Sequence, residues 1–135
     1  MSHFSALFVM ARKFVDFVVP VTIGTAGPVT YTKDQLLGGI IIRDCAGAAR
    51  ADKPPTAQDI IDGLTVSGRQ PVVGNAVEFY IRNTSAGAFA VTLSAQTGII
   101  LAGTMVVPQN QQGRFLAVVG ASNVVTIMGM GVVAF

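Results

Sequence analysis

The chain has 135 residues and a formal net charge of +2, and 51% of its residues are apolar while only 12% are charged. This length predicts one domain with its own core, and the charged fraction is about half that of an average soluble domain. Because so little charge leaves apolar surface exposed, the composition favours a subunit that buries part of itself against partners. The basic residues are scattered singly, which argues against a nucleic-acid-binding surface.

The N-terminal segment, residues 1–14, is predicted to be an arm that precedes a single domain of residues 15–135. Its apolar residues follow helical spacing, although an extended arm lying on a neighbour fits them as well. Charged residues follow the first apolar stretch, so the segment fits neither an export signal nor a transmembrane helix. The apolar residues are Phe4, Leu7, Phe8, Ala11 and Phe14, and the charged residues are Arg12, Lys13 and Asp16.

The first predicted element of the domain is a strand. Apolar residues alternate over residues 15–23, and Pro20 restricts this strand to a sheet edge or a bulge. Further along, Thr32 and Gln35 have the spacing of a capping box, in which each side chain satisfies a free amide at a helix start. We therefore predict one short helical turn over residues 33–37.

The middle of the chain is predicted to hold a buried strand, a loop and a second helix. Residues 40–42 are three isoleucines, and such a run of β-branched residues is typical of a strand covered on both faces. Residues 46–55 contain small residues, single charges and two prolines, which predict a loop. Thr56 then begins a short helix, with Asp59 placed favourably in its first turn.

From residue 71 onward the pattern predicts only strands. Residues 77–82 and 89–94 alternate between apolar and polar positions around a turn, which predicts a hairpin, and residues 114–119 and 124–128 predict a second one. Two further strands are predicted at residues 98–101 and 105–107. About eight strands with one or two short helical turns in a long connection predict an all-β fold, an antiparallel β-sandwich of jelly-roll type.

The residue inventory argues against an enzyme. The chain has one histidine, His3, and one cysteine, Cys45, so a nucleophile with a histidine base or a Cys/His zinc site is not expected. The acidic residues lack the spacing of a calcium-binding loop, and the glycines lack that of a nucleotide-binding loop. We therefore predict no catalytic, cofactor-binding or metal-binding residue.

Charged residues after the isoleucine run allow two interpretations. They are either loop charges that end a buried strand or anchors that contact a neighbouring subunit. In a chain with so few charges, an arginine that reaches a partner can fix register and specificity. Together with the arm, the candidate interface residues are Phe4, Phe8, Arg12, Lys13, Arg43, Asp44 and Arg50.

Several stretches resemble small virion proteins of tailed bacteriophages. They are LLGGIIIRD at residues 36–44, GAAR with PTAQDII between residues 47 and 61, and VEFYIRNTSAGAFAVTLSAQTG at residues 77–98, followed by GTMVV. The family comprises capsid decoration or cement proteins, some of them jelly rolls. The resemblance implies a dimer or trimer that binds the outside of the head between capsomers and opposes the pressure of packaged DNA.

Partners and location follow from the same resemblance. It implies that the partners are the major capsid protein and other copies of this chain, in a virion protein made in the bacterial cytoplasm. The scattered basic residues and the charges in the N-terminal segment argue against nucleic acid and a membrane as partners. The alternative is a glycan- or receptor-binding β-sandwich module of a phage tail or head fibre. Such modules usually expose aromatic side chains, and this chain has no Trp and only Tyr31 and Tyr80 as tyrosines.

Overall fold

The computed structural model describes residues 20–135. The predicted arm of residues 1–14 and most of the predicted strand of residues 15–23 lie outside this part. The described strands are β1 (Thr22–Ile23), β2 (Ile40–Arg43), β3 (Arg50–Asp52), β4 (Ala76–Asn83), β5 (Val91–Leu93), β6 (Ile99–Gly103), β7 (Val106–Val107), β8 (Gln111–Val119) and β9 (Val125–Ala134), and the helices are α1 (Lys33–Leu37) and α2 (Ala57–Leu64). None of the helices in residues 20–135 has the length and apolar character that crossing a membrane requires.

The described strands form two sheets, so the prediction of an all-β, two-sheet fold is confirmed. One sheet has six strands in the order β1-β2-β4-β8-β9-β6, and the other has three in the order β3-β5-β7. The prediction that the sheets are antiparallel is wrong, because four of the seven strand pairings are parallel. The long connection from β2 to β4 contains β3 and α2. It returns the chain to the end of the sheet where β2 begins, as a parallel pairing requires.

One of the two predicted hairpins forms. Strands β8 and β9 are antiparallel neighbours, as predicted. The hairpin predicted from residues 77–82 and 89–94 is wrong, because β4 lies in the six-stranded sheet and β5 in the three-stranded sheet. Alternation shows that each strand has one buried face, but it does not identify the partner strand. Strand β3 lies within the predicted loop of residues 46–55.

Both predicted helices form, and each begins at its predicted cap. The Thr32 hydroxyl accepts a hydrogen bond from the Gln35 amide at 3.2 Å, and the Thr32 amide donates to Gln35 Oε1 at 2.9 Å. The Thr56 hydroxyl accepts from the Asp59 amide at 3.1 Å. These bonds satisfy amides that the helix itself leaves free, so the helix starts are set by local sequence.

The core lies between the two sheets, and the helices contribute to it. Phe79 and Phe115 face each other on β4 and β8 and stack with their ring centroids 5.2 Å apart. The prediction that the isoleucine run is covered on both faces is wrong, because Ile41 is buried while Ile40 is 43% exposed. The six-stranded sheet is covered by the core on one side only, and its other side is at the surface.

Candidate interaction surface

Arg43, a predicted interface residue, lies in the interior. Its side chain is fully buried, and its Nε donates to Asp52 Oδ2 at 2.7 Å. The Tyr31 hydroxyl donates to the same oxygen at 2.6 Å. The prediction that Arg43 contacts a neighbour is therefore wrong. Alternation along β2 turns Arg43 to the same side as Ile41, and the fold places Asp52 of β3 opposite it.

The guanidinium of Arg43 also holds the end of β1 and the chain that follows it. It donates to the carbonyls of Ile23, Thr25 and Gly27 at 3.1, 3.0 and 2.7 Å. Burial favours the neutral form, but the hydrogen bond and the attraction to Asp52 outweigh it and raise the pKa of Arg43. Burial, followed by the Asp52 carboxylate, raises the pKa of Tyr31 far above its usual value. This ion pair is therefore a structural anchor.

Asp44 and Arg50 shape the loop between β2 and β3. Asp44 Oδ1 accepts a hydrogen bond from the Ala46 amide at 3.0 Å. Arg50 donates from Nε to the Cys45 carbonyl at 2.7 Å and from Nη2 to the Ala46 carbonyl at 3.0 Å. Both side chains remain partly exposed, so a contact with a neighbour stays a prediction for them. The other candidates, Phe4, Phe8, Arg12 and Lys13, lie outside the described residues.

A buried amide joins the two sheets. Asn83 of β4 donates from Nδ2 to the carbonyls of Phe89 at 2.8 Å and Val107 at 2.9 Å. Its Oδ1 accepts from the Ser85 hydroxyl at 2.6 Å, and that hydroxyl in turn accepts from the Cys45 amide at 2.8 Å. Asn83 lies in β4 of the six-stranded sheet and Val107 in β7 of the three-stranded sheet, so this network connects the two sheets on the core side.

The side of the six-stranded sheet that faces away from the core is largely apolar, and we call it the outer face. Of the ten exposed large apolar residues in the described chain, six lie on this face, and they are between 39% and 64% exposed. The others lie in loops, beside β1 or on β7. The six are Ile40, Ile100, Met128, Met130, Val133 and Phe135. A patch of this kind marks an interaction site more often than a scatter of single residues does.

Cross-strand pairing places these residues in rows. Glu78 of β4 is opposite Leu116 of β8, Leu116 is opposite Met128 of β9, and Met128 is opposite Ala102 of β6. A neighbouring row continues through Val118, Thr126 and Ile100. Such rows join four strands into one continuous surface, so the apolar patch is a property of the sheet.

A few polar groups interrupt the apolar outer face near its centre. Arg114 Nη2 lies 3.2 Å from Glu78 Oε2, and the Tyr80 hydroxyl donates to Glu78 Oε1. This hydrogen bond, followed by burial, raises the pKa of Tyr80. Arg82 lies over the ring of Phe135, with its guanidinium carbon 3.8 Å from the ring centroid. The face thus combines aliphatic, aromatic and arginine groups, as the centres of protein interfaces do.

An open depression of about 260 Å³ lies on this face beside Tyr80. Gln112 and Arg114 line one side, and residues 130–133 of β9 line the other. It lies where the pairing of β8 with β9 shifts register between Gly113 and Phe115. A register shift twists the sheet locally and leaves side chains spaced apart, which makes room for one side chain of a partner.

The composition predicted exposed apolar surface, but the sequence analysis did not assign it to a sheet or to residues, although the sequence carries a signal for its position. In strand β8 the core residues Phe115, Ala117 and Val119 alternate with two apolar residues, Leu116 and Val118. A strand with apolar residues on both of its faces is typically covered on both sides of the sheet. Within residues 20–135 no three His, Cys, Asp or Glu side chains gather as a metal site.

Comparisons with known proteins found no match for this chain. No protein-family model matches the chain, and no similar curated protein or solved structure was found. The functional interpretation therefore depends on the outer face, on the composition and on the sequence resemblance described above.

Proposed function

We propose that this protein is a structural subunit of a tailed-phage virion. It binds the outer surface of the head between capsomers and stabilises the capsid against the pressure of the packaged DNA. Its partners are the major capsid protein and further copies of itself, and it acts without turnover or a cofactor. The observation that carries the proposal is the apolar outer face, which a small subunit with so few charges leaves exposed when alone.

The size of the outer face supports a docking role. The six strands are between 2 and 10 residues long and hold 38 residues in all. At about 4.8 Å between strands and about 3.4 Å per residue, they would cover roughly 600 Å². Stable protein interfaces bury about 800 Å² per partner, so this face with its rim is large enough for a specific contact. On a symmetric shell the same contact recurs many times, and linked repetition raises the strength of weak contacts.

Further contacts in this proposal come from residues beyond the outer face. Phe4 and Phe8 supply apolar anchors, and Arg12 and Lys13 supply charges, to a neighbouring subunit or the shell. Asp44 and Arg50 contribute from the loop after β2, where both are partly exposed. Jelly rolls pair their strands antiparallel, unlike most strand pairs of this chain. Jelly-roll connectivity is not required for the proposed role, because docking depends on one exposed sheet face.

The glycan- or receptor-binding alternative has less support. Tyr31 is 1% exposed and hydrogen-bonded to Asp52, so it cannot stack on a sugar. Tyr80 is then the one tyrosine at the surface of the described chain, and no Trp is present in the sequence. One aromatic ring gives a sugar a much smaller platform than such modules usually offer.

Heat resistance of phage heads tests the proposed function. Heads of the encoding phage that lack this protein are expected to release DNA at a lower temperature than complete heads, and adding back purified protein restores the difference. Met128→Glu places a charge on the outer face and is expected to prevent this rescue. Gln58→Glu, at an exposed position of α2, is the matched control and rescues fully. Heads that are equally stable with and without the protein contradict the proposal.

A further inference from the structure

The chain enters the described structure at the border of the outer face. Strand β1 is one edge of the six-stranded sheet, and its Thr22 pairs with Ile42 of β2. Hydrogen bonds from Arg43 to the carbonyls of Ile23 and Thr25 fix this edge. Residues 1–19 are therefore attached beside the apolar surface and not at a distant point of the fold.

The chemistry of residues 1–19 matches that of the outer face. This segment contains four of the chain's eight phenylalanines and only three charged side chains. The phenylalanines are Phe4, Phe8, Phe14 and Phe17, and the charged residues are Arg12, Lys13 and Asp16. A segment this apolar is stabilised by burial, at about 25 cal/mol for each Å² removed from water.

The segment is also long enough to cross the face. Nineteen residues span about 60 Å when extended and about 28 Å as a helix. The six-stranded sheet is about 24 Å wide, from five gaps of about 4.8 Å. The depression beside Tyr80 lies within this width, and its volume of about 260 Å³ accommodates a phenyl ring.

The first described residues indicate that the preceding segment lies on a neighbour's face. Pro20 and Val21 are both exposed, and Val21 is 74% exposed. The chain that leads into β1 therefore does not pack on its own domain, which favours the face of another copy for the residues before it. We propose that residues 1–19 of a second copy dock on the outer face, with a phenylalanine ring in the depression. This inference deepens the proposed function and rests on it for self-association.

Cross-linking between single-cysteine variants tests the inference with the full chain. Because Cys45 is fully buried, a maleimide is expected to react with an introduced surface thiol and not with Cys45. The chain without an introduced cysteine measures the background reaction. A mixture of Phe8→Cys and Met128→Cys chains, treated with a short bismaleimide, is expected to give a covalent dimer. Ile100→Cys replaces Met128→Cys as a second site on the same face. Gln58→Cys on α2 is the matched control, and its mixture with Phe8→Cys gives little dimer.

A labelling measurement tests the same contact without a cross-linker. The Met128→Cys thiol is expected to react with a maleimide about ten times more slowly in the otherwise unchanged chain than in a chain that also carries Phe4→Asp and Phe8→Asp. A tenfold difference corresponds to a docked segment that leaves the thiol accessible about one tenth of the time. Equal rates, or a cross-link only within a single Phe8→Cys/Met128→Cys chain, overturn the inference. A dimer that persists after Phe4→Asp and Phe8→Asp also overturns the inference, because it would show that two outer faces stack on each other without residues 1–19.

The inference and the proposed function fail in different ways. Covalent dimers together with heads that neither bind nor need the protein would reject the capsid role and retain the docking of residues 1–19. Heads that require the protein, combined with an unprotected Met128→Cys thiol, would retain the capsid role and reject the docking. The two measurements are made on the same purified chain.

Discussion

Arg43, Asp52 and Tyr31 form a buried, hydrogen-bonded anchor that joins β2, β3 and the chain before α1. The Arg43 and Asp52 side chains are both fully buried, and Asp52 Oδ1 also accepts from the Val29 amide at 3.0 Å. In the described residues, every buried side-chain nitrogen or oxygen has a hydrogen-bond partner. A buried charge is tolerated when all its hydrogen bonds are made, and removing one member leaves the other uncompensated.

Arg43→Met is expected to lower the free energy of unfolding by about 3–5 kcal/mol, because it leaves the Asp52 carboxylate buried without its cation. Arg114→Met is the matched control. Its pair with Glu78 is 53% and 38% exposed, and exposed pairs contribute less than about 1 kcal/mol. Chemical denaturation monitored by circular dichroism measures both, and equal effects of the two substitutions would contradict a structural role for Arg43.

Tyr31 is expected to make the fold sensitive to alkaline pH. Because its folded pKa is raised, its contribution to stability is complete below the unfolded pKa of about 10 and is lost as the pH rises above it, by up to ~1.4 kcal/mol per pH unit. Tyr31→Phe should remove most of this slope, and it lowers stability at neutral pH by about 1 kcal/mol through the lost hydrogen bond. Denaturation curves measured between neutral pH and about pH 11 test this.

Tyr80→Phe is the control for that experiment. Its hydroxyl lies at the surface and donates to Glu78, so this substitution should leave most of the alkaline slope in place. A slope that survives Tyr31→Phe and disappears in Tyr80→Phe would reverse the assignment.

The position of Arg43 could have been predicted from the sequence, but its partner could not. Counting by two along β2 places Arg43 on the side of Ile41, a core residue. Asp52 lies in the three-residue strand β3, where the sequence RAD has no alternation to reveal a strand. The anchor exists because the long connection brings β3 over β2, and such a tertiary contact leaves no local signal.

At the scale of elements, the contact between β6 and β9 restricts side-chain size most. Gly103 of β6 pairs with Gly129 of β9, and Gly103 has a φ of +83°, in the region that favours glycine. A Cβ on Gly129 would overlap the backbone of Thr104. The two glycines let β6 end against β9 without a gap, which completes one edge of the outer face.

Gly129→Ala is expected to destabilise the protein by about 1–3 kcal/mol, because backbone atoms at Thr104 must shift to accept the methyl group. Gly24→Ala is the matched control, since a Cβ there meets no atom within 4 Å, and its effect should stay within about 0.5 kcal/mol. Thermal unfolding compares the two variants. Similar melting temperatures would show that β6 is not held against β9 in this way.

Elements with local signals were predictable, and of their pairings only the β8–β9 hairpin was. The caps at Thr32 and Thr56 identified both helices, because cap hydrogen bonds join residues three apart. The β8–β9 hairpin followed from a short turn between two strands. The segment after β4 also resembled a short turn, but the buried Asn83 amide helps to carry the chain to the other sheet there.

At the scale of the whole molecule, one side of the six-stranded sheet forms the core and the other remains apolar and uncovered. The composition predicted exposed apolar surface, and the structure concentrates it on the outer face. Its location depends on the mixed order β1-β2-β4-β8-β9-β6, which an interpretation based on antiparallel pairing could not provide. Composition therefore predicts that such a surface exists, and the topology determines where it lies.

Deleting residues 1–14 is expected to leave the domain folded and to weaken assembly. The buried core cluster lies between Tyr31 and Ile127, and the Arg43 anchor holds the chain from Ile23 onward. The circular dichroism spectrum should therefore be unchanged, while occupancy on phage heads falls. A truncated chain that occupies heads as fully as the intact chain would show that residues 1–14 are dispensable for assembly.

A cryo-electron microscopy map of the intact particle would locate this protein on the head. We expect density for this chain on the outside of the head between capsomers, with Met128 and Ile100 of the outer face covered by protein. A head without this density, or a bound chain whose outer face lies open to solvent, would contradict it.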